Sequence, residues 1–202
     1  MKEDLFTAPD YYNIDDLLTD EHKLIRNTLR KWVKQNISPI IEDHAQRAKF
    51  PEQLIHGLAL IGAFGSFIPK KYGGAALDQI SYGLIMQELE RGDSGIRSTA
   101  SVQSSLVMGP IFDYGNEVQR QKHLPKLATG EWLGSFGLTE PNHGSNPSDM
   151  ETRYKDMGDH YLLNGAKLWI SNAPICNIAV VWAKNEKRSY SWTYSRTRNG
   201  RF

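Results

Sequence analysis

Along the first two thirds of the chain, apolar residues recur at helical spacing. Ile25, Leu29, Trp32 and Val33 stand at i, i+4, i+7 and i+8, one stripe of a helix that Thr19 can cap and that Asp20 and Glu21 open at the favourable end of the dipole. Ser38-Pro39 predicts the opening of a second helix, since proline is tolerated in a first turn. Leu54, Leu58 and Ile61 mark a third, stopped at Gly62. Tyr82, Ile85, Met86 and Leu89 mark a fourth, ending near Gly92. The small residues from Ser98 to Met108 predict a buried helix that packs closely on its neighbours. Asn116 to Leu124 predicts a short polar helix ended by Pro125.

After Gly130 the pattern shifts to short runs rich in aromatic and branched residues. Trp132 to Leu138, Tyr161 to Leu163, Lys167 to Ile170 and Ile178 to Trp182 read as strands. Asn164-Gly165 between two of them predicts a hairpin turn, because both turn positions need positive φ. The fold expected is α+β. An N-terminal all-α helical domain covers residues 1–129, an incomplete β domain covers 130–186, and a tail at 187–202 shows neither helical nor strand period. The strand ending near Trp182 is expected to leave an open sheet edge.

Composition narrows the class. The chain has 202 residues, 40% of them hydrophobic, enough for one large core or two small ones. No apolar run approaches the ~20 residues that cross a bilayer, so no membrane insertion is expected. The opening Met1-Lys2-Glu3-Asp4 resembles neither a secretory signal nor an Arg-rich transit peptide. A single cysteine, Cys176, excludes an internal disulfide framework and any multi-cysteine metal site. The six histidines show no ligand spacing. A cytoplasmic location is expected. The net charge of +1 hides an asymmetry, for Lys187, Arg188, Arg196, Arg198 and Arg201 crowd the tail. Without those five, 19 basic residues face 23 acidic ones, a net charge of −4 that offers no footprint for nucleic acid.

Two segments carry candidate chemistry. Thr139-Glu140-Pro141 is a strand end entering a turn, and Gly144-Ser145 follows with backbone N–H groups and a hydroxyl suited to an anionic ligand. Trp169 and Ser171, one strand repeat apart, point to the same face and can pack on a flavin ring and donate to its polar edge. An ordinary buried tryptophan beside a turn serine fits the same pattern. In the other segment Arg97 follows an acidic helix end and a glycine-containing turn, with Ser98 and Ser101 beside it. That setting suits a carboxylate held through two parallel N–H bonds. A surface pair with Asp93 or Glu90 is the competing reading.

Thr139-Glu140-Pro141…Gly144-Ser145-Asn146 and Trp169-Ile170-Ser171-Asn172 resemble the flavin-binding signatures of the acyl-CoA dehydrogenase family. The resemblance implies FAD, lined by Phe136, Leu138, Thr139, Gly144, Ser145, Trp169, Ile170 and Ser171. By it, Thr139 bonds the isoalloxazine, Ser145 lies near the cofactor phosphates and the acyl-CoA, and Ser171 reaches the flavin edge. Two positions depart from the common pattern. Ser171 stands for threonine and keeps the hydroxyl, while Asn146 stands for aspartate and loses a charge.

Glu90-Arg91-Gly92-Asp93-Ser94-Gly95-Ile96-Arg97-Ser98, continuing into Ser101-Val102-Gln103-Ser104-Ser105-Leu106-Val107-Met108, is similar to the glutaryl-CoA branch of that family. There the distal carboxylate would be held by Arg97, Ser98 and Ser101, with Glu90 adjacent and Ser145 on the acyl-CoA. The implied reaction is α,β-dehydrogenation and decarboxylation of glutaryl-CoA to crotonyl-CoA, with electron-transfer flavoprotein as reoxidant and a homotetramer as the full-length assembly. The family's base is a glutamate in a C-terminal helical domain, so no residue here is assigned to that role, Glu90 and Glu140 included. On this reading the chain alone lacks dehydrogenase activity and binds FAD weakly or not at all. Another short-chain acyl-CoA dehydrogenase, or a non-catalytic flavin- or acyl-CoA-binding fragment, are the alternatives. From Arg188 onward the tail has a back-translation, with codons chosen among synonyms, that read one nucleotide later contains Gly-Leu-Ile-Val-Glu-Arg-Gly-Met-Glu-Gly. That string resembles the family's next strand and turn, so a shifted reading frame is expected there.

Overall fold

Helix α1, Asp20–Asn36, begins where Thr19 closes its N-terminus. The Thr19 hydroxyl accepts from His22 N at 3.2 Å, and His22 Nδ1 accepts from Thr19 N at 3.3 Å. Leu29 and Val33 are buried, and Ile25 and Trp32 pack against the same cluster. This computed structural model describes residues 9–185 and the backbone of 190–196. The acidic start Met1 to Asp4 and most of the expected tail lie outside the described residues.

A turn at Ile37 to Ile40, closed by Ile40 N donating to Ile37 O, takes Pro39, so α2 starts later than expected, at Ile41–Gln46. Helix α3, Leu54–Leu60, stops where Gly62 takes φ 77°. Helix α4, Gln79–Gly92, is capped by Asp78 and lies along α1. Glu88 of α4 is fully buried and takes Arg30 of α1 through both oxygens, at 2.9 and 2.8 Å.

The expected helix over Ser98 to Met108 is longer and changes pitch. Helix α5, Ser94–Ser101, capped by Asp93, runs into a π-helical turn at Val102–Met108 and then α6, Gly109–Tyr114. Helix α7, Glu117–Ala128, is capped reciprocally by Asn116 and Gln119. Pro125 does not end it. The proline forfeits one N–H bond, but Leu124, Leu127 and Ala128 are buried in a second apolar cluster, and that burial outweighs one hydrogen bond.

The sheet comprises β1 (Gly134–Gly137), β2 (Arg153–Asp156), β3 (Tyr161–Asn164), β4 (Ile178–Lys184) and β5 (Tyr190–Arg196). β4 is its centre. It pairs in parallel with β1, from Gly134 opposite Ile178 to Gly137 opposite Val181, and touches β2 where Arg153 meets Lys184. β2 and β3 form an antiparallel hairpin. Ile178 and Val180 face the helices and complete the second cluster, which joins sheet to helices.

Three strand expectations fail. The hairpin turn lies at Met157 to His160, closed by Met157 N donating to His160 O, while Asn164 merely ends β3. Lys167 to Ile170 is not a strand, because Trp169 takes φ 60° and breaks any extended run, which also removes the shared face expected for Trp169 and Ser171. The edge beyond Trp182 is not open. β5 pairs with β4 from Tyr190 opposite Lys184 to Arg196 opposite Ile178, inside the segment expected to have no strand. Tyr190, Trp192, Tyr194 and Arg196 alternate with Ser191, Thr193 and Ser195, a period of two that favours a strand.

Candidate functional site

Strand β1 ends in the Thr139-Glu140-Pro141 segment, which turns back at once: Glu140 N donates to His143 O, and His143 N to Glu140 O, each at 3.2 Å. Beyond it Gly144 and Ser145 are exposed. Asn146 keeps a bond at the position of the missing charge, its Nδ2 donating to Asp149 Oδ2 at 2.6 Å.

The loop after β3 is stitched to this segment. Leu168 N donates to Thr139 O at 2.9 Å, and Lys167 Nζ donates to Leu138 O at 3.0 Å and to Glu140 Oε1 at 2.8 Å. The two motifs, 29 residues apart at Leu138 and Lys167, therefore lie side by side. Glu140 is buried and also accepts from the backbone N–H groups of Glu151 and Thr152. Burial pushes its pKa up, and the bonds from Lys167, Thr152 and Glu151 more than reverse that, holding it at about 2. Gly165 is required at the loop's start. Its φ is 152°, and a Cβ there would come within 2.6 Å of the Thr152 Cα.

What this anchored loop presents is Trp169, 85% exposed at φ 60°, followed by half-buried Ile170 and exposed Ser171. A bulky residue in the left-handed region is an outlier, and such outliers cluster at functional sites. Asn172 behind it is buried. Its Oδ1 accepts from Thr99 Oγ1 at 3.1 Å, and its Nδ2 donates to Gly134 O at 3.0 Å. A cavity of about 560 Å³ lies beneath the loop, against Ser135, Gly137, Ala179 and Val181. Trp169 and Ile170 reach its lining; Thr139, Gly144, Ser145 and Ser171 do not. Phe136 lies on the other face of β1, edge-on to Trp182 at 6.4 Å and against the second cluster. Leu138 is half-buried and contributes its carbonyl to Lys167. Thus Thr139 adjoins the Trp169 loop, and Phe136 is turned away from it. Cys176 is buried, with its thiol donating to Ser135 Oγ at 3.3 Å, and burial pushes its pKa up.

Arg97 lies on α5 about 200° around the helix from Thr99. Its Nε donates to Glu90 Oε2 at 2.5 Å and its Nη1 to Ser101 Oγ at 3.5 Å. The Ser101 hydroxyl itself donates to Ser98 O at 3.1 Å. Of the two acidic partners weighed from sequence, Glu90 takes the arginine, and Asp93 caps the helix instead. Hydrogen bonds from Ser94 and then Arg97 hold Glu90 below the usual carboxylate range. Neither Glu90 nor Glu140 is therefore suited to remove a carbon-bound proton. Among the described residues no group of three His, Cys, Asp or Glu side chains could hold a metal, and no helix is long and apolar enough to cross a membrane.

Thr99, Gln103 and Lys167 build this region without having been singled out from sequence, and Asn172, quoted in the second motif, had no role assigned there. Gln103 was the most legible of them, a lone amide in a run of small and apolar residues.

The profile of the acyl-CoA dehydrogenase N-terminal domain matches residues 19–131, and that of the acyl-CoA dehydrogenase middle domain matches residues 135–198, across the start of the expected tail. The glutaryl-CoA dehydrogenase of Desulfococcus multivorans is 34% identical over 88% of this chain and 46% of its own length. The mitochondrial isovaleryl-CoA dehydrogenase of Bos taurus is also 34% identical, over 84% of this chain and 40% of its own. A crystal structure of a glutaryl-CoA dehydrogenase from Mycobacterium smegmatis in complex with FADH2 superposes with a TM-score of 0.89 at 39% identity, covering 93% of this chain and 48% of that one. The chain thus spans about half the length of the relatives it matches.

Proposed function

Because the chain belongs to the acyl-CoA dehydrogenase family, a family of oxidoreductases, we propose that it forms the flavin- and acyl-facing part of an FAD-dependent acyl-CoA dehydrogenase, with glutaryl-CoA as the substrate. The observation that carries the flavin reading is the bond from Leu168 N to the Thr139 carbonyl, which ties the Thr139 segment to the loop that presents an exposed, left-handed Trp169 and an exposed Ser171. An exposed aromatic ring in a loop that also offers exposed polar groups fits a heteroaromatic ring with a polar edge. Trp169 and Ile170 would lie on the flavin, Thr139 and Ser171 would bond its edge, and Gly144 and Ser145 would meet its phosphates. Bound there, FAD supplies the hydride acceptor for α,β-dehydrogenation. Phe136, in β1, and Leu138, just after it, would act by holding the segment that carries Thr139.

Arg97 supports the glutaryl assignment. Glu90 holds its Nε edge and Ser101 steadies one Nη, so the guanidinium is oriented before any ligand arrives. A distal carboxylate would bind the remaining N–H groups with help from Ser98 and Ser101. A monocarboxylic acyl chain gives Arg97 no anion, and the isovaleryl-CoA relative makes that distinction the one to test. Electron-transfer flavoprotein as reoxidant, a homotetrameric assembly and decarboxylation to crotonyl-CoA belong to the same proposal for the whole protein.

Two titrations test it. FAD titrated into the chain to high concentration tests the flavin reading, which a saturable loss of its fluorescence would support. Calorimetry should then show tighter binding of glutaryl-CoA than of butyryl-CoA. Arg97→Met should weaken glutaryl-CoA by about 1.5–3 kcal/mol, the worth of a charge-assisted bond, and leave butyryl-CoA unchanged. Equal losses for both ligands would remove the basis for the glutaryl assignment.

A further inference from the structure

Trp169 cannot hold its own conformation. It is exposed, so packing does not fix it, and its left-handed backbone is unfavourable for a bulky residue. Strain of this kind persists only where the surroundings over-determine it. One restraint is the Lys167 contact with Glu140 and Leu138. The second lies on the other side of the turn, at Asn172.

Asn172 follows Ser171 and itself has φ 65°, a conformation that asparagine tolerates better than most residues. Both ends of its carboxamide are used, Oδ1 by Thr99 and Nδ2 by the Gly134 carbonyl. The Gly134 N–H in turn donates to Gln103 Oε1 at 2.8 Å, and Gln103 Nε2 reaches the carbonyls of Leu127 and Trp132, each at 2.8 Å. Thr99 and Gln103 are four residues apart, so one helical face carries both grips. Gly134 passes close against the helical segment, since a Cβ there would lie 2.5 Å from Val107 Cγ1. Trp169, Ile170 and Ser171 are therefore a short projection clamped at Lys167 and at Asn172, and the second clamp is bolted to α5.

We propose that Asn172, held by Thr99, is a positioning residue that fixes the Trp169 to Ser171 turn relative to α5, the helix that carries Arg97, Ser98 and Ser101. The inference rests on the flavin reading above for what the turn presents, but the clamp itself is a property of the chain without ligand. One helix thereby sets both the proposed flavin platform and the proposed acyl-recognition side chains, and the distance between them is held by a hydroxyl–amide bond buried from water.

Three variants test it on the whole chain. Thr99→Val keeps the shape and removes the bond. Thr99→Ser restores the hydroxyl. Asn172→Gly keeps the left-handed turn and removes both grips. Amide hydrogen exchange is read for the segment 165–175 and for α1 and α4, and FAD affinity is read by flavin fluorescence. Loss of one such bond corresponds to roughly a fivefold change. Thr99→Val and Asn172→Gly should speed exchange in 165–175 by about fivefold or more, leave α1 and α4 unchanged, and weaken FAD by a similar factor, and Thr99→Ser should behave as the parent in both measurements. Exchange in 165–175 unchanged by Thr99→Val, or acceleration spread equally over α1 and α4, would overturn the proposal. If the parent chain binds no FAD, the exchange result alone still decides whether Asn172 positions the turn.

Discussion

Glu140→Gln is the substitution that most directly tests how the candidate site is held. The carboxylate is buried against Lys167 and two backbone N–H groups, and its pKa stands at about 2 against an ordinary 4.5. A depressed carboxyl pKa contributes stability that is fully present above the unfolded value and is lost as pH falls through the folded one. The window therefore runs from about 4.5 down to about 2. At 1.36 kcal/mol per unit, the shift corresponds to about 3 kcal/mol at neutral pH. Glutamine is nearly isosteric, yet it brings a donor where Glu151 N and Thr152 N already donate, and it leaves the Lys167 ammonium, itself nearly buried, without its carboxylate. We expect Glu140→Gln to be destabilised by about 3 kcal/mol at pH 7. The gap between parent and variant should narrow through the acid window with a slope approaching 1.4 kcal/mol per pH unit. Urea unfolding of both proteins at closely spaced pH values measures it. Asp78, also held near 2 by Ser81 and His22, titrates in the same range, but it does so in both proteins and cancels in the difference. Parallel stability curves for parent and variant across the window would refute the assigned role of the Lys167–Glu140 pair.

Three further outcomes follow from the same geometry. Trp169→Gly should leave stability within about 1 kcal/mol of the parent or above it, since an exposed side chain is lost and a left-handed φ relieved, yet it should abolish FAD quenching; a loss above 2 kcal/mol in urea would mark Trp169 as a packing residue. Gly165→Ala should cost several kcal/mol, because the added Cβ meets the Thr152 backbone at a φ no alanine adopts easily, and a melting temperature equal to the parent's would contradict that geometry. Leu58→Ala removes a fully buried side chain from the cluster shared by α1, α3 and α4, so urea unfolding should register about 2–5 kcal/mol.

The helical part was legible because its signals are local. Thr19, the 25–29–32–33 stripe and the Leu54-Leu58 spacing each act within a turn or two of their own position. The sheet was harder to read. β2 is Arg-Tyr-Lys-Asp, polar and largely exposed, and its existence depends on β3 rather than on any pattern of its own. Lys167 to Ile170 has strand-like composition, but Lys167 is captured by Glu140 and Trp169 turns left-handed, so a long-range ion pair overrides the local preference. β5 was missed for the opposite reason. Its alternation is plain in the sequence, and the expectation of a foreign tail obscured it. Of the candidate site, the motif residues Thr139, Trp169 and Ser171 were readable. The roles of the side chains that tie the segments together, Lys167 and the motif residue Asn172, were not, because their partners lie 27 and 73 residues away.

That division has a physical basis. Groups that would touch a ligand must be exposed and incompletely bonded in its absence, as Trp169, Ser171 and Ser145 are. Groups that hold them must do so against conformational entropy and strain, which requires burial and saturated hydrogen bonding, as in Glu140, Gln103 and Asn172. The two sets therefore respond differently to substitution. Changing an exposed member alters affinity with little effect on folding. Changing a buried member alters both, because the bond that stabilises the fold is the same bond that sets the geometry. Arg97 stands between the classes: about a third of its side chain is exposed and it is already paired with Glu90, so a distal carboxylate must share the guanidinium with an existing anion. Selectivity at that position then depends on whether a second carboxylate gains more from the remaining N–H groups than it loses by approaching Glu90, a balance that Glu90→Gln would tip toward any anionic acyl chain.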